Sequence, residues 1–93
     1  MSWDILWTGA EIIRYGNLRI ITFHSADMAN KVTLPVSDRP PIMVSSDVFS
    51  TKVSNRNVVA RVNTNGVIEF LDTAGLLTSE AVWGQIIYVV SIK

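Results

Sequence analysis

Apolar and polar residues alternate with a period of two along most of this chain, the spacing that puts successive side chains on opposite faces of a strand. The run LRIITFHS from Leu18 to Ser25 is rich in β-branched and aromatic residues and predicts a strand. Leu18, Ile20, Thr22 and His24 would share one face, and Arg19, Ile21, Phe23 and Ser25 the other. Both faces are partly apolar, as in a strand packed on each side. Between Asn57 and Asp72, Val58, Ala60 and Val62 alternate with Val59, Arg61 and Asn63. Thr64-Asn65-Gly66 follows, and then VIEFLD, with Ile68 and Phe70 on one side. Asn-Gly between alternating apolar runs predicts a hairpin, because both residues tolerate positive φ in a tight turn. From Trp83 to Lys93, Ile86, Tyr88, Val90 and Ile92 alternate with Ile87, Val89 and Ser91, which predicts a central, buried strand.

Shorter signals fill the remainder. Asp4–Thr8 and Ala10–Tyr15 predict two short strands with Gly9 between them, and Tyr15-Gly16-Asn17 marks the next turn. Pro41–Ser46 predicts another strand, preceded by the breaker Asp38-Arg39-Pro40-Pro41. Thr73–Val82 fits either one helical turn, capped by Thr78-Ser79, or a loop opened by Gly75. About seven short strands with closely spaced turns describe an all-β fold, either a small antiparallel β-barrel or a sandwich. No repeat, low-complexity segment or linker divides the chain, so residues 1–93 read as a single domain.

Composition changes the picture in one respect. The chain is 48% hydrophobic and only 17% charged, against about 25% charged in an average globular domain. A chain of 93 residues has a large surface for its volume and should need more polar residues, not fewer. The surplus apolar surface points to burial between copies, hence a homo-oligomer. There is no cysteine to form a disulfide or thiolate metal site. Eight basic residues balance eight acidic ones. Arg14 and Arg19, with Glu11 beside them, are the nearest approach to a basic cluster, too little for a nucleic-acid partner. No run approaches the roughly 20 apolar residues of a membrane helix, and the start Met1-Ser2-Trp3-Asp4 lacks the basic and apolar regions of a signal peptide. The expectation is a soluble protein made in a cytosol, or a domain of a longer chain.

Catalytic chemistry is poorly supplied. His24 is the one histidine, so it alone could serve as the base of a nucleophilic triad. On a regular strand the neighbouring Ser25 points to the opposite face. The eight acids form pairs by chance alone, and a short chain has little room for a deep cleft. A carboxylate–carbonyl calcium site among Asp27, Asp38 and Asp47 is the one metal arrangement the residues leave open. Glycines are scattered singly, with no phosphate loop. The pattern therefore points to binding, not turnover. Trp3, Trp7 and Trp83 are three indoles able to stack on sugar rings, or equally to fill a core or a subunit interface. Trp3 and Trp7 lie four apart and would share a face on a regular strand.

The order of signals resembles a known family. Trp7-Thr8-Gly9 comes early, then Thr33-Leu34-Pro35 with Arg39-Pro40, then Val59-Ala60-Arg61-Val62-Asn63-Thr64-Asn65-Gly66 with Ile68 two residues on, and a closing apolar strand. In these short pieces, spread over nearly the whole chain, it resembles the C-terminal head domains of receptor-binding proteins from tailed phages of lactococci and related Gram-positive bacteria. The resemblance implies a small antiparallel β-barrel that forms a homotrimer at the phage tail tip or baseplate, in contact with other tail proteins. It also implies binding of host cell-wall saccharide near subunit boundaries, with no enzymatic activity and no cofactor. Such heads surround the sugar with Trp, His, Asp and Arg. By that chemistry His24, Asp27, Arg39, Arg61, Trp7 and Trp83 are the candidate ligand-binding residues, though their spacing matches no family motif. Arg39 could equally belong to its turn, and Arg61, opposite Val58, Ala60 and Val62, should reach solvent or a neighbour. A structural trimerisation or capping domain without a ligand is the alternative.

Overall fold

A computed structural model describes residues 1–28, 32–51, 56–71, 73 and 81–90. Seven strands appear in chain order: β1 (Ser2–Trp7), β2 (Ala10–Tyr15), β3 (Leu18–Asp27), β4 (Val44–Thr51), β5 (Arg56–Val62), β6 (Ile68–Leu71) and β7 (Ala81–Val89). All pair antiparallel in one sheet of order β1-β2-β3-β7-β4-β5-β6. The fold is all-β, and the sheet curls into a half-barrel, the barrel-like form of the two architectures the alternation allows. A single turn of 3₁₀ helix, Val36–Asp38, lies in the connection from β3 to β4.

Because the period is two, one set of residues lines the concave side. Ala10 and Ile12 of β2, Ile21 and Phe23 of β3, Val58, Ala60 and Val62 of β5, and Ile86 and Tyr88 of β7 are all buried. The curl brings the far strand β6 back over the near ones. Phe70 packs edge-on against Phe23 at 5.5 Å and against Trp7 at 6.5 Å between ring centroids, a favoured geometry for aromatic pairs. β7 is fourth of the seven strands, as its apolar run predicts. On its other face Ile87 and Val89 are exposed.

The segment from Val32 to Met43 straps the open side of the half-barrel. At one end Thr33 bridges Val67, and the Leu34 amide donates to the Gly66 carbonyl at 2.9 Å. Leu34 itself is fully buried. At the other end the 3₁₀ turn sets the Asp38 carboxylate against the Arg14 side chain of β2 and the Arg19 side chain of β3. Arg14 donates from Nε to Oδ1 at 2.8 Å and from Nη2 to Oδ2 at 2.8 Å, and Arg19 donates from Nε to Oδ1 at 2.7 Å. The Tyr88 hydroxyl donates to the Asp38 carbonyl at 2.6 Å. Arg14 and Arg19 are directly paired across the β2–β3 hairpin, where two like charges repel unless an anion lies between them. Asp38 is that anion.

Several boundaries differ from expectation. The strand predicted at Pro41–Ser46 begins at Val44 and runs to Thr51, since Pro40 and Pro41 have no N–H for a ladder. The hairpin at 57–72 is present, but its turn is longer than two residues. Gly66 N–H donates to Asn63 O at 2.9 Å and Asn63 N–H to Val67 O at 3.0 Å, a type I turn closed by a bulged glycine. Only Gly66 takes positive φ there, at 87°. A Cβ on Gly66 would lie 2.6 Å from the Leu34 carbonyl, so this glycine also lets the strap dock. The helix-or-loop alternative at Thr73–Val82 falls mostly outside the described residues, although Ala81 and Val82 belong to β7.

Candidate functional site

Two bulges decide which aromatic side chains reach the surface. In β1 the register shifts between Ile5 and Trp7, so Leu6 is an extra residue and the side-chain alternation reverses. Trp3 therefore stands on the convex face while Trp7 turns inward, 8% exposed, donating from Nε1 to the Asp27 carbonyl at 2.9 Å. The expectation that the two share a face is overturned, and Trp7 is a core residue instead of a ligand-binding one. In β3 the register shifts between His24 and Ala26. Ser25 is the extra residue and holds φ at 56°, the single non-glycine residue with positive φ among those described. Ser25 is thus exposed and not on the inner face as predicted; Ala26 takes the inner position.

The bulge leaves His24 outward, directly opposite Trp83 of β7, with ring centroids 5.4 Å apart. Trp83 in turn pairs with Phe49 of β4. The result is a cross-strand row on the convex face, His24–Trp83–Phe49, with Trp83 42% and Phe49 41% exposed. Among the described residues, β4 and β7 pair at Phe49–Thr51 with Ala81–Trp83, so the row sits on the seam between the two halves of the sheet. Gly84 keeps this seam tight: its φ is 148°, and a Cβ there would lie 2.8 Å from Val48 Cγ1. Backbone strain at Ser25 costs on the order of 1 kcal/mol and persists where surrounding structure imposes it.

Of the six candidate residues, the structure brings together His24 and Trp83, with half-buried Asp27 at the same end of β3, paired with Ala81. Arg39 and Arg61 lie elsewhere. Arg39 follows the 3₁₀ turn and donates from Nε to the Leu34 carbonyl at 3.0 Å, fixing the strap beside Gly66; its turn role is the one seen. Arg61 faces outward next to Ser45 and Glu69, its Nη1 4.0 Å from Glu69 Oε1, with a buried Nε that has no hydrogen-bond partner. It is four residues along β5 from Asn57, the partner of Phe49, or about 13 Å at roughly 3.3 Å per residue. Asp38 is committed to two arginines, which dissolves the calcium set with Asp27 and Asp47. Among the described residues no three acidic or histidine side chains gather to hold a metal.

Phe49 is the member of the row absent from the sequence-based candidates, because the predicted strand Pro41–Ser46 ends before it whereas β4 runs to Thr51. Its signal was available in the alternation Ser45, Asp47, Phe49 against Val44, Ser46, Val48. Chemically the row offers an indole face, a phenyl face and imidazole nitrogens on an open surface. That suits a flat ligand with apolar C–H faces and hydroxyl edges. No family model, no curated protein and no solved structure matches this chain.

Proposed function

We propose that this chain is a receptor-binding head of a phage tail or baseplate, and that the His24–Trp83–Phe49 row holds a saccharide of the host cell wall. The observation that carries the reading is the exposed Trp83 indole flanked by His24 and Phe49 beside the strained Ser25 bulge. A pyranose stacks its C–H face on the indole, while hydroxyls exchange hydrogen bonds with His24 and with the carboxylate side of Asp27. The site is shallow, as an adhesin needs when its ligand is one unit of a long polymer. In this reading the head binds without turnover, assembles as a homotrimer beside other tail proteins, and gains strength from several weak sites acting together.

The test is titration of the purified chain with cell-wall polysaccharide fractions, read by tryptophan fluorescence and calorimetry. Trp83→Ala should weaken binding at least tenfold, and His24→Ala less. Trp3→Ala should leave the binding per site unchanged. Equal binding by wild type and a Trp83→Ala/His24→Ala double variant would sink the assignment. A second reading, a structural trimerisation domain without ligand, is favoured by the apolar convex face described next; it predicts no response to any fraction.

A further inference from the structure

Cross-strand pairing arranges the convex face in rows. Trp3 pairs with Ile13, Ile13 with Ile20, and Ile20 with Ile87, an unbroken apolar row over β1, β2, β3 and β7. Tyr15, Leu18 and Val89 form a second row beside it. On the other side comes a more polar row, Ile5, Glu11, Thr22 and Gln85, and beyond it His24–Trp83. Trp3, Ile5, Tyr15, Leu18, Ile87 and Val89 are each 37–67% exposed.

We infer that this four-stranded face is where copies of the chain pack on one another. Trp and Tyr carry about 150–250 Å² each and aliphatic side chains roughly 100 Å², so half-exposure of these six leaves on the order of 500 Å² of apolar surface. That is the upper end of what a monomer shows. With its polar rim it approaches the roughly 800 Å² per partner of a stable interface. Charge argues for a second copy over other occupants. Glu11 is the one charged side chain in these rows, since Arg14 and Arg19 turn inward to Asp38. A lipid surface is met by faces flanked with Lys and Arg, and an acidic or basic protein by opposite charge; among its described residues this face has neither a basic flank nor a charge cluster. A recess of about 220 Å³ bordered by Met1, Trp3, Glu11 and Ile13 gives the face a place to receive a neighbour's side chain. Among the described residues β1 pairs only with β2, so within them the same side of the molecule also presents a strand edge without a partner, a feature proteins commonly cover.

The inference supplies the surface for the self-assembly in the proposed function and is independent of the saccharide. In the assembly the His24–Trp83–Phe49 row lies just outside the packed rows, so each ligand site borders a neighbouring copy.

Light scattering of the chain over a wide concentration range tests it. Wild type should give a multiple of 10.3 kDa, and Trp3→Glu/Ile87→Glu should give the single-chain mass with an unchanged circular dichroism spectrum. Val36→Glu, exposed on the strap and away from this face, should assemble as wild type does. A wild-type monomer at every concentration overturns the inference, and so does a double variant that keeps the wild-type mass. Wild-type monomers that bind neutral phospholipid vesicles overturn it in favour of a lipid surface. If the double variant fails to fold, acrylamide quenching of Trp3 in a Trp83→Phe background decides: Trp3 should be shielded in the assembled species and open on dilution. A Trp3 open in both overturns it. None of these readouts uses saccharide, so they fail or succeed separately from the ligand assignment.

Discussion

Asp38 shows how much one side chain can decide. Burial pushes its carboxyl towards the neutral form, but the hydrogen bonds and charges of Arg14 and Arg19 outweigh this and hold its pKa below the ordinary carboxylate value. An unfolded Asp titrates near about 3.9. Because the folded value is lower, the stability this group contributes is present above the unfolded value and is lost as pH falls through the folded one. Asp38→Asn should cost about 3 kcal/mol at neutral pH, since it leaves the largely buried Arg19 guanidinium without its counter-charge. It should also flatten the fall in stability below about pH 4. Urea titrations at pH 7 and at acid pH check both; an acid limb equally steep in the variant would show that other carboxylates dominate. Tyr88 belongs to the same knot. Burial first, and the Asp38 charge second, push its phenol well above the ordinary range, so it stays a donor to the Asp38 carbonyl, and Tyr88→Phe should cost about 1 kcal/mol. Little of this was legible in the sequence, where Asp38 read as a turn residue or a calcium ligand. The clue was that the Gly16-Asn17 turn sets Arg14 opposite Arg19 on the inner face, a placement that demands an acid. Which acid depends on a strap that crosses the molecule, and no local pattern specifies that.

Strands were legible because burial on one face enforces a period of two, and β2, β3, β5 and β7 follow it closely. The bulges were not legible, because one extra residue at Leu6 or Ser25 leaves composition unchanged while reversing every side chain beyond it. That reversal moved Trp7 into the core and brought Ser25 to the surface, so of the six candidate residues the structure brings His24 and Trp83 together, sets Phe49 beside them, and places Arg39 and Arg61 elsewhere. The bulge makes its own prediction. Ser25→Gly relieves the positive φ at the cost of a more flexible unfolded chain, and should change stability by no more than about 0.5 kcal/mol. Ser25→Val puts a β-branched residue where φ is 56°, and should lose about 1–2 kcal/mol. Thermal unfolding of the two variants separates them. Equal melting temperatures would mean the bulge moves or flattens when asked to, and that His24 is not held rigidly beside Trp83.

At the scale of the whole molecule, the sheet consists of two parts, β1-β2-β3-β7 and β4-β5-β6, joined in the ladder, among the described residues, by the three pairings of Phe49–Thr51 with Ala81–Trp83. Further contacts cross between them, among them the Trp7–Phe23–Phe70 aromatic group and the strap, which grips Gly66 and Val67 at one end and Arg14 and Arg19 at the other. So narrow a seam makes cooperativity depend on the strap. In wild type, slow amides of β3, β5 and β7 should exchange through the same global opening. Leu34→Ala deletes a fully buried side chain at the strap's grip on the β5–β6 hairpin and should cost about 2–5 kcal/mol. If the strap couples the two parts, this loss is uneven: β5 and β6 amides accelerate more than those of β3 and β7, because the β4-β5-β6 part can then open alone. If every amide accelerates equally, the seam and the aromatic group are enough to keep the sheet one unit, and Leu34 adds only to the common core. The uneven outcome has a functional consequence, since His24 and Trp83 lie on one part and Phe49 on the other. A ligand bridging the row would then slow β5 and β6 exchange in Leu34→Ala more than in wild type, tying binding to closure of the seam.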